Sequence, residues 1–407
     1  MSDASSDDDI DTLARLAAKR PPDDRAAFLK DLCPDQKTRR AVWERLYELS
    51  PVDTETESAP HPDEPSNTSD VDADSLLEST GRMPDRIGPW RIRSEMGKNP
   101  LLTTYRAEHD DAAHPEPAVL KLASDALNKK TRDEARERFH SELQILEQLQ
   151  HPNIAILLDG GVTGLNPSHG RVFCPYFVME YVEGVSLYSY CDDNGLGVEA
   201  RLQLFRQLCA AVAFAHRNLI LRHDLKPWDV LVTAPDDDPE TDPHVKLLDV
   251  GIETALKSVQ GQTAGLRRID DLYLDIRYTS PEQVEQTLVT TASDVYSLGV
   301  VLCELLTGKL PYRNFWKNSI TEVADVIGNA AVEPLSERVS DDAAPALEYA
   351  HGTSPESLRR TLEGDLDAIA MKALHRDPGR RYPSATELGR AIERYLDGKS
   401  IEARVGE

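Results

Sequence analysis

"LRHDLKPWDVLV", residues 221 to 232, sets Asp224, Lys226 and Asp229 close together between two apolar runs. A solvated turn of mixed charge would read the same way over its middle residues. The flanks argue otherwise: "NLIL" (218–221) and "VLV" (230–232) are apolar enough to be buried, so the charged residues sit on a loop pinned at both ends.

Working outward, "VKLLDVG" (245–251) is an apolar strand that delivers Asp249 to a glycine turn. In "VEARLQLFRQLCAAVAFAHRN" (198–218), Val198, Leu202, Phe205, Cys209 and Val212 share one helical face. Toward the N-terminus the period changes. "IGPWRI" (87–92), "LLTTYRAEHD" (101–110) and "EPAVLKLA" (116–123) read as strands, and "TRDEARERFHSELQILEQLQ" (131–150) as a helix striped by Phe139, Leu143, Leu146 and Leu149. The apolar runs "IAILLDGG" (154–161) and "YFVMEYV" (176–182) complete five strands with one inserted helix, and after Gly184 the chain turns helical. These elements predict a small antiparallel α+β lobe followed by a mostly helical one.

Composition limits the rest of the chain. With 71 acidic against 46 basic residues in 407, the formal charge of −25 excludes a general affinity for nucleic acid or anionic membrane. Cys33, Cys174, Cys191, Cys209 and Cys303 follow no metal or disulfide spacing and read as reduced thiols of a cytoplasmic protein. "MSDASSDDDI" lacks the pattern of a signal peptide, and "DVYSLGVVLCELL" (294–306) is too polar and too short for a membrane span. Residues 1–9 read as a disordered tail and 10–49 as a small helical segment. Residues 50–86 read as a disordered linker, since 51–80 hold nine acidic side chains, four prolines and no Lys or Arg. The folded domain is expected over 87–397, with a tail over 398–407.

The order of these segments resembles the eukaryotic-like protein kinase family, specifically its bacterial serine/threonine members. "RYTSPEQV" (277–284), "SDVYSLGVVLCELLTGKLPY" (293–312) and "HRDPGRRYPSATELGRAIERYLDG" (375–398) carry the likeness most fully. "RAAFLKDLC" (25–33) is similar to a helical segment that precedes such bacterial kinases. The resemblance implies a bilobal protein-kinase-like α+β fold, with a small antiparallel β-sheet N-lobe holding one helix and a larger, mainly helical C-lobe. It implies ATP with Mg²⁺ or Mn²⁺ as cofactors, and a protein substrate or signalling partner. Asp224 matches the catalytic base and Lys226 the residue that steadies the transferring phosphate. Gly97, Lys121, Glu142, Glu180, Val182 and Leu231 fall in the implied ATP site, Glu142 as the acid that holds Lys121 in place. Asp229 and Asp249 match the metal ligands. Glu282 with Arg381 matches a structural ion pair, and Asp294 the residue that braces the catalytic loop.

The departures from the family pattern concentrate on the phosphates. Where GxGxxGxV is expected, "GKNPLLTT" (97–104) keeps Gly97 but has Asn99, Leu102 and Thr104 in place of two glycines and the valine, and Pro100 removes a donor. Two lost backbone contacts at about 1.5–3 kcal/mol each predict nucleotide binding or turnover lower by about two to four orders of magnitude. Val119 replaces the usual alanine beneath adenine, and Asp229 replaces asparagine, adding a negative charge beside Asp249. Arg222 and His223 invert the usual pair, and Val250 replaces the phenylalanine on which that histidine packs, which predicts a rebuilt spine. Asp275 stands where the family has a threonine, and Asp270, Asp271, Arg267 and Arg268 offer fixed charge in place of a phosphosite such as Thr263. Two functions follow: a serine/threonine kinase of reduced or unusual activity, or a pseudokinase acting as a scaffold or allosteric regulator. A third reading has residues 10–49 docking a partner.

Overall fold

The computed structural model describes residues 84–98, 102–111, 116–123, 132–165, 172–222, 225–233, 242–252, 255–256, 276–285, 287–312, 326–328, 331–339 and 350–401. The expected N-terminal helices, acidic linker and C-terminal tail beyond Ile401 lie outside the described residues, as do Asn99, Pro100, His223, Asp224 and the charges over 263–275.

The N-terminal lobe is a six-stranded antiparallel sheet in the order β1-β2-β3-β4-β6-β5. Its strands are β1 (Arg86–Ile87), β2 (Trp90–Lys98), β3 (Leu102–His109), β4 (Pro117–Ala123), β5 (Leu157–Leu165) and β6 (Val172–Glu180). Two sequence expectations change here. "IGPWRI" is not one strand, because Gly88 at φ +56° and Pro89 turn the chain, and Ile87 pairs back on Trp90. "IAILLDGG" is also divided. Asn153 and Ala155 bond both faces of the Leu247 peptide in the other lobe, with Leu247 N–H to Asn153 O at 2.9 Å and Ala155 N–H to Leu247 O at 2.9 Å. From Ile156, whose carbonyl oxygen accepts from the Glu180 N–H at 3.0 Å, the run turns to the N-lobe sheet, and it pairs with β6 in register from Leu157. This split stitches the two lobes together next to the strand that carries Asp249.

One face of the sheet closes over its own core of Trp90, Tyr105, Leu120, Leu122 and Val178. The other receives α1 (Arg132–Glu147), whose Phe139, Leu143 and Leu146 are buried as the period-3.6 stripe requires. Phe139 meets Phe177 of β6 edge-on at 5.1 Å.

The C-terminal lobe begins with β7 (Val185–Ser186), α2 (Leu187–Asp193) and α3 (Val198–Arg217), followed by β8 (Val230–Thr233) and β9 (His244–Leu247). β7, β8 and β9 form a small antiparallel sheet. The buried residues of α3 include all five expected from its stripe. Beyond α4 (Pro281–Val284) runs α5 (Thr291–Thr307), buried at every position except Thr291 and Glu304. Thr290 and Ser293 form a capping box at its start, and Gly308 at φ +67° ends it in the left-handed region. Around it pack α6 (Leu335–Arg338), α7 (Pro355–Leu362), α8 (Asp365–Ala373) and α9 (Ala385–Leu396). Among the described residues no helix is long and apolar enough to cross a membrane.

Candidate active site

The register of the N-lobe sheet sets Gly97, Thr104 and Lys121 side by side across β2, β3 and β4. Directly paired residues share a face, so the three line one row of the sheet. Val119 lies two residues from Lys121 on the same face, opposite Met179 of β6. A Cβ added at Gly97 would meet open space, so packing does not demand glycine there. Leu102 behaves differently: its side chain is buried and joins the main core with Phe139 and Leu143. The residue at the last glycine position of the expected loop therefore anchors the start of β3 to the interior.

At the end of β6, Glu180 accepts an ion pair from Lys246 of β9 at 2.7 Å, a partner the sequence did not suggest. Val182 packs against the core and Leu231 is half-buried in β8, opposite Lys246. Between them Gly184 is sterically fixed, since a Cβ there would come within 2.7 Å of the Val232 carbonyl oxygen.

The second flank is buried as expected, at Val230 and Val232, and Leu225 within the loop is buried too, but of "NLIL" only Ile220 is buried: Leu219, at φ +62°, is 94% exposed. Pro227–Asp229 forms a single 3-10 turn, closed by Asp229 N–H to Lys226 O at 3.1 Å. Lys226 is half-buried, its ammonium 5.9 Å from the Trp228 ring, and Arg277 covers that ring at 5.6 Å. Beneath the loop, buried Asp294 accepts from the Arg222 backbone N–H at 2.8 Å and bonds His216 Nε2 at 2.6 Å. The expected bracing by Asp294 is thus present, with His216 as an unforeseen second partner.

Asp249 takes φ +58°, a left-handed conformation that a non-glycine residue adopts at a cost and that the surroundings must hold. Its Oδ2 pairs with Lys121 Nζ, joining β4 to the end of β9. Gly251 follows at φ +79°, so close to α1 that a Cβ would meet Leu146 Cδ2 at 2.4 Å. Substitution there would strain the backbone and displace the helix.

Glu142 does not meet the expectation placed on it. Among the described residues the ion pair of Lys121 is with Asp249, and half-buried Glu142 makes none with it. The cause lies in the stripe. Burial of Phe139, Leu143 and Leu146 fixes the rotation of α1, which leaves Glu142 at the edge of the packed face and Ile145 44% exposed.

The inverted pair also needs correction. Arg222 does not merely repack a spine: its Nη2 donates to Asp229 Oδ2 at 2.5 Å and its Nη1 to the Asp249 carbonyl oxygen at 2.9 Å. The negative charge that Asp229 adds is therefore offset by a guanidinium seven residues earlier. Val250 is buried in the core, as a residue of that spine should be.

Asp229 and Asp249 offer hard oxygen donors of the kind Mg²⁺ prefers. Among the described residues no three metal-ligating side chains converge.

The protein kinase domain family matches residues 109–390. The serine/threonine-protein kinase PrkC of Bacillus subtilis is 29% identical over 320 residues, covering 78% of this chain and 42% of that protein. The serine/threonine-protein kinase PknB of Mycobacterium leprae is 32% identical over 267 residues, 65% of this chain and 37% of that protein. PknB of Mycobacterium tuberculosis is 31% identical over 293 residues, 70% and 41% respectively. The chain spans about two fifths of the length of these curated relatives. With the two-lobed architecture, the Lys121–Asp249 pair and the Glu282–Arg381 pair in place, the chain belongs to the protein kinase family, among its eukaryotic-like bacterial serine/threonine members.

Proposed function

We propose that the chain transfers the γ-phosphoryl group of ATP to serine or threonine hydroxyls of a protein, at a rate lowered by its altered phosphate loop. The observation that carries this reading is the Lys121–Asp249 pair, which brings a phosphate-binding cation of one lobe against a metal-binding carboxylate of the other. Phosphoryl transfer asks a protein mainly for positioning and charge. Lys121 holds the α and β phosphates, Lys226 the transferring group, and Asp249 the divalent ion. Glu180, Val182 and Leu231 border the adenine. When bound, Mg²⁺ or Mn²⁺ offsets charge on the phosphate oxygens. The substrate oxygen forms its bond to phosphorus as the bond to the ADP oxygen breaks, and the hydroxyl proton passes to Asp224. Glu142 becomes the partner of Lys121 only after a rotation of α1 that frees Lys121 from Asp249.

A second reading, a pseudokinase that serves as scaffold or regulator, is favoured by Leu102, because a side chain anchored in the core limits how closely the phosphate loop can follow a nucleotide. The domain limits 87–397 and a cytoplasmic location belong to the same proposal. Burial pushes the Cys191 and Cys303 thiols up to about 12, which fits unreactive reduced cysteines.

The full chain, given labelled ATP with Mg²⁺ or Mn²⁺ and a generic basic protein, should label that protein above an Asp224→Asn control. Equal labelling by both would leave the pseudokinase reading, and a thermal shift with ATP would then report whether nucleotide still binds.

A further inference from the structure

Arg222 is the residue whose placement the phosphoryl-transfer reading does not account for. Its side chain is only 5% exposed, against 16% for Asp229. Withdrawing a guanidinium from water is costly unless its donors are met, and it cannot shed its charge. The partners it has found belong to the metal site: the Asp229 carboxylate and the backbone oxygen of Asp249. The segment is fixed further by Leu248 N–H to Asp229 O at 2.7 Å and by the Arg222 N–H on Asp294. Among the described residues, Lys121 pairs with Asp249 and Arg222 with Asp229.

We propose that Arg222 is a resident cation of the metal site, standing in for the second divalent ion that the residue at position 229 would otherwise ligate. The inference rests on the phosphoryl-transfer reading only so far as nucleotide and metal bind at Asp249. Asp229 is then the counter-ion of Arg222 rather than a metal ligand. A divalent ion on the same carboxylate would stand beside a guanidinium 2.5 Å from Oδ2, and like charges at that range repel. Neutral asparagine, the family's residue here, has no need of such a cation. The exchange of His for Arg at 222 and of Asn for Asp at 229 is thus one coupled change, and Arg222 acts as a positioning residue that sets metal number.

The test counts metal. The full chain with saturating non-hydrolysable ATP analogue is titrated with Mn²⁺, and free Mn²⁺ is read by electron paramagnetic resonance. One Mn²⁺ per chain–nucleotide complex is expected for the natural sequence, and two for Arg222→His/Asp229→Asn. Asp229→Asn alone, which keeps an acceptor for Arg222, should still bind one, within about threefold of the original affinity. Two Mn²⁺ ions in the unaltered protein, or a tenfold loss of the single ion in Asp229→Asn, would overturn the inference while leaving phosphoryl transfer standing. No nucleotide-dependent Mn²⁺ in any of the proteins would overturn both. Because the count in the unaltered chain decides the matter, the test survives misfolding of the double variant.

Discussion

Arg381 and Arg222 each bury a guanidinium against a carboxylate, with side chains 0% and 5% exposed. Arg381 uses all five of its donors. Nη1 and Nη2 grip Glu282 at 2.7 and 2.8 Å, and the carbonyls of His375, Ala292 and Arg376 take the remaining three bonds. Ser293 adds a bond to Glu282 at 2.6 Å, and the Tyr296 ring lies 4.9 Å from the guanidinium carbon. Arg222 instead reaches Asp229 through one carboxylate oxygen, and that carboxylate keeps some contact with solvent. Satisfying every donor makes a fixed joint between α4, α5 and the segment before α9. Holding a carboxylate by one oxygen at a cleft leaves a group that chemistry can still address.

The comparison breaks first on stability. Arg381→Ala strands the Glu282 carboxylate in the interior and is expected to cost about 3–5 kcal/mol in urea unfolding. Arg222→Ala should cost less, about 1–3 kcal/mol, because Asp229 can recover hydration. Equal losses would show that the Arg222 pair is a second structural joint. Activity should separate the two regions in the opposite sense. On the proposed function Lys121→Met removes the phosphate-binding cation, and it should then lower phosphoryl transfer by at least about a hundredfold, roughly 3 kcal/mol of transition-state stabilisation. Its unfolding midpoint should hardly move, since the Lys121–Asp249 pair is partly exposed and screened. A stability loss as large as that of Arg381→Ala would make Lys121 a structural residue.

How legible these regions were in the sequence follows the same division. The C-lobe joint could be read directly, because Glu282 and Arg381 lie within long motifs and every partner is local to the packed frame. The stripes on α1 and α3 were equally readable, since burial follows period alone. The partner of Lys121 was not readable, because the rotation of α1 is decided by Phe139, Leu143 and Leu146 rather than by Glu142. Nor was the division of "IAILLDGG", where Asn153 and Ala155 bond a strand ninety residues later, a tertiary choice that no local pattern encodes. The Arg222–Asp229 pair left a usable signal: two departures seven residues apart move a positive charge to position 222 and add a negative one at 229. Read one at a time, each looked like a separate loss.

A further expected effect concerns pH and rests on a third buried group, His351. Burial, aided by the neighbouring charge of Arg201, pushes His351 down to about 3. The unfolded chain protonates this histidine below about 6.5 while the folded chain does not, so between those values the unfolded state holds more protons. The stability it protects is complete above about pH 6.5 and is lost as pH falls, at about 1.4 kcal/mol per pH unit. Glu282 acts with the same sign at lower pH: burial raises it, but the bonds from Arg381 and Ser293 outweigh burial and hold it below the usual carboxylate range. Asp192, raised by burial against the pull of Arg201, acts with the opposite sign in the carboxylate range, so the histidine is seen most cleanly from pH 7 to 5. His351→Gln, which cannot charge, should reduce that slope in urea midpoints over this range and leave the charge pairs intact, the remainder including His151, which burial also lowers. An unchanged slope would assign the acid sensitivity to groups other than His351, His151 and the carboxylates among them.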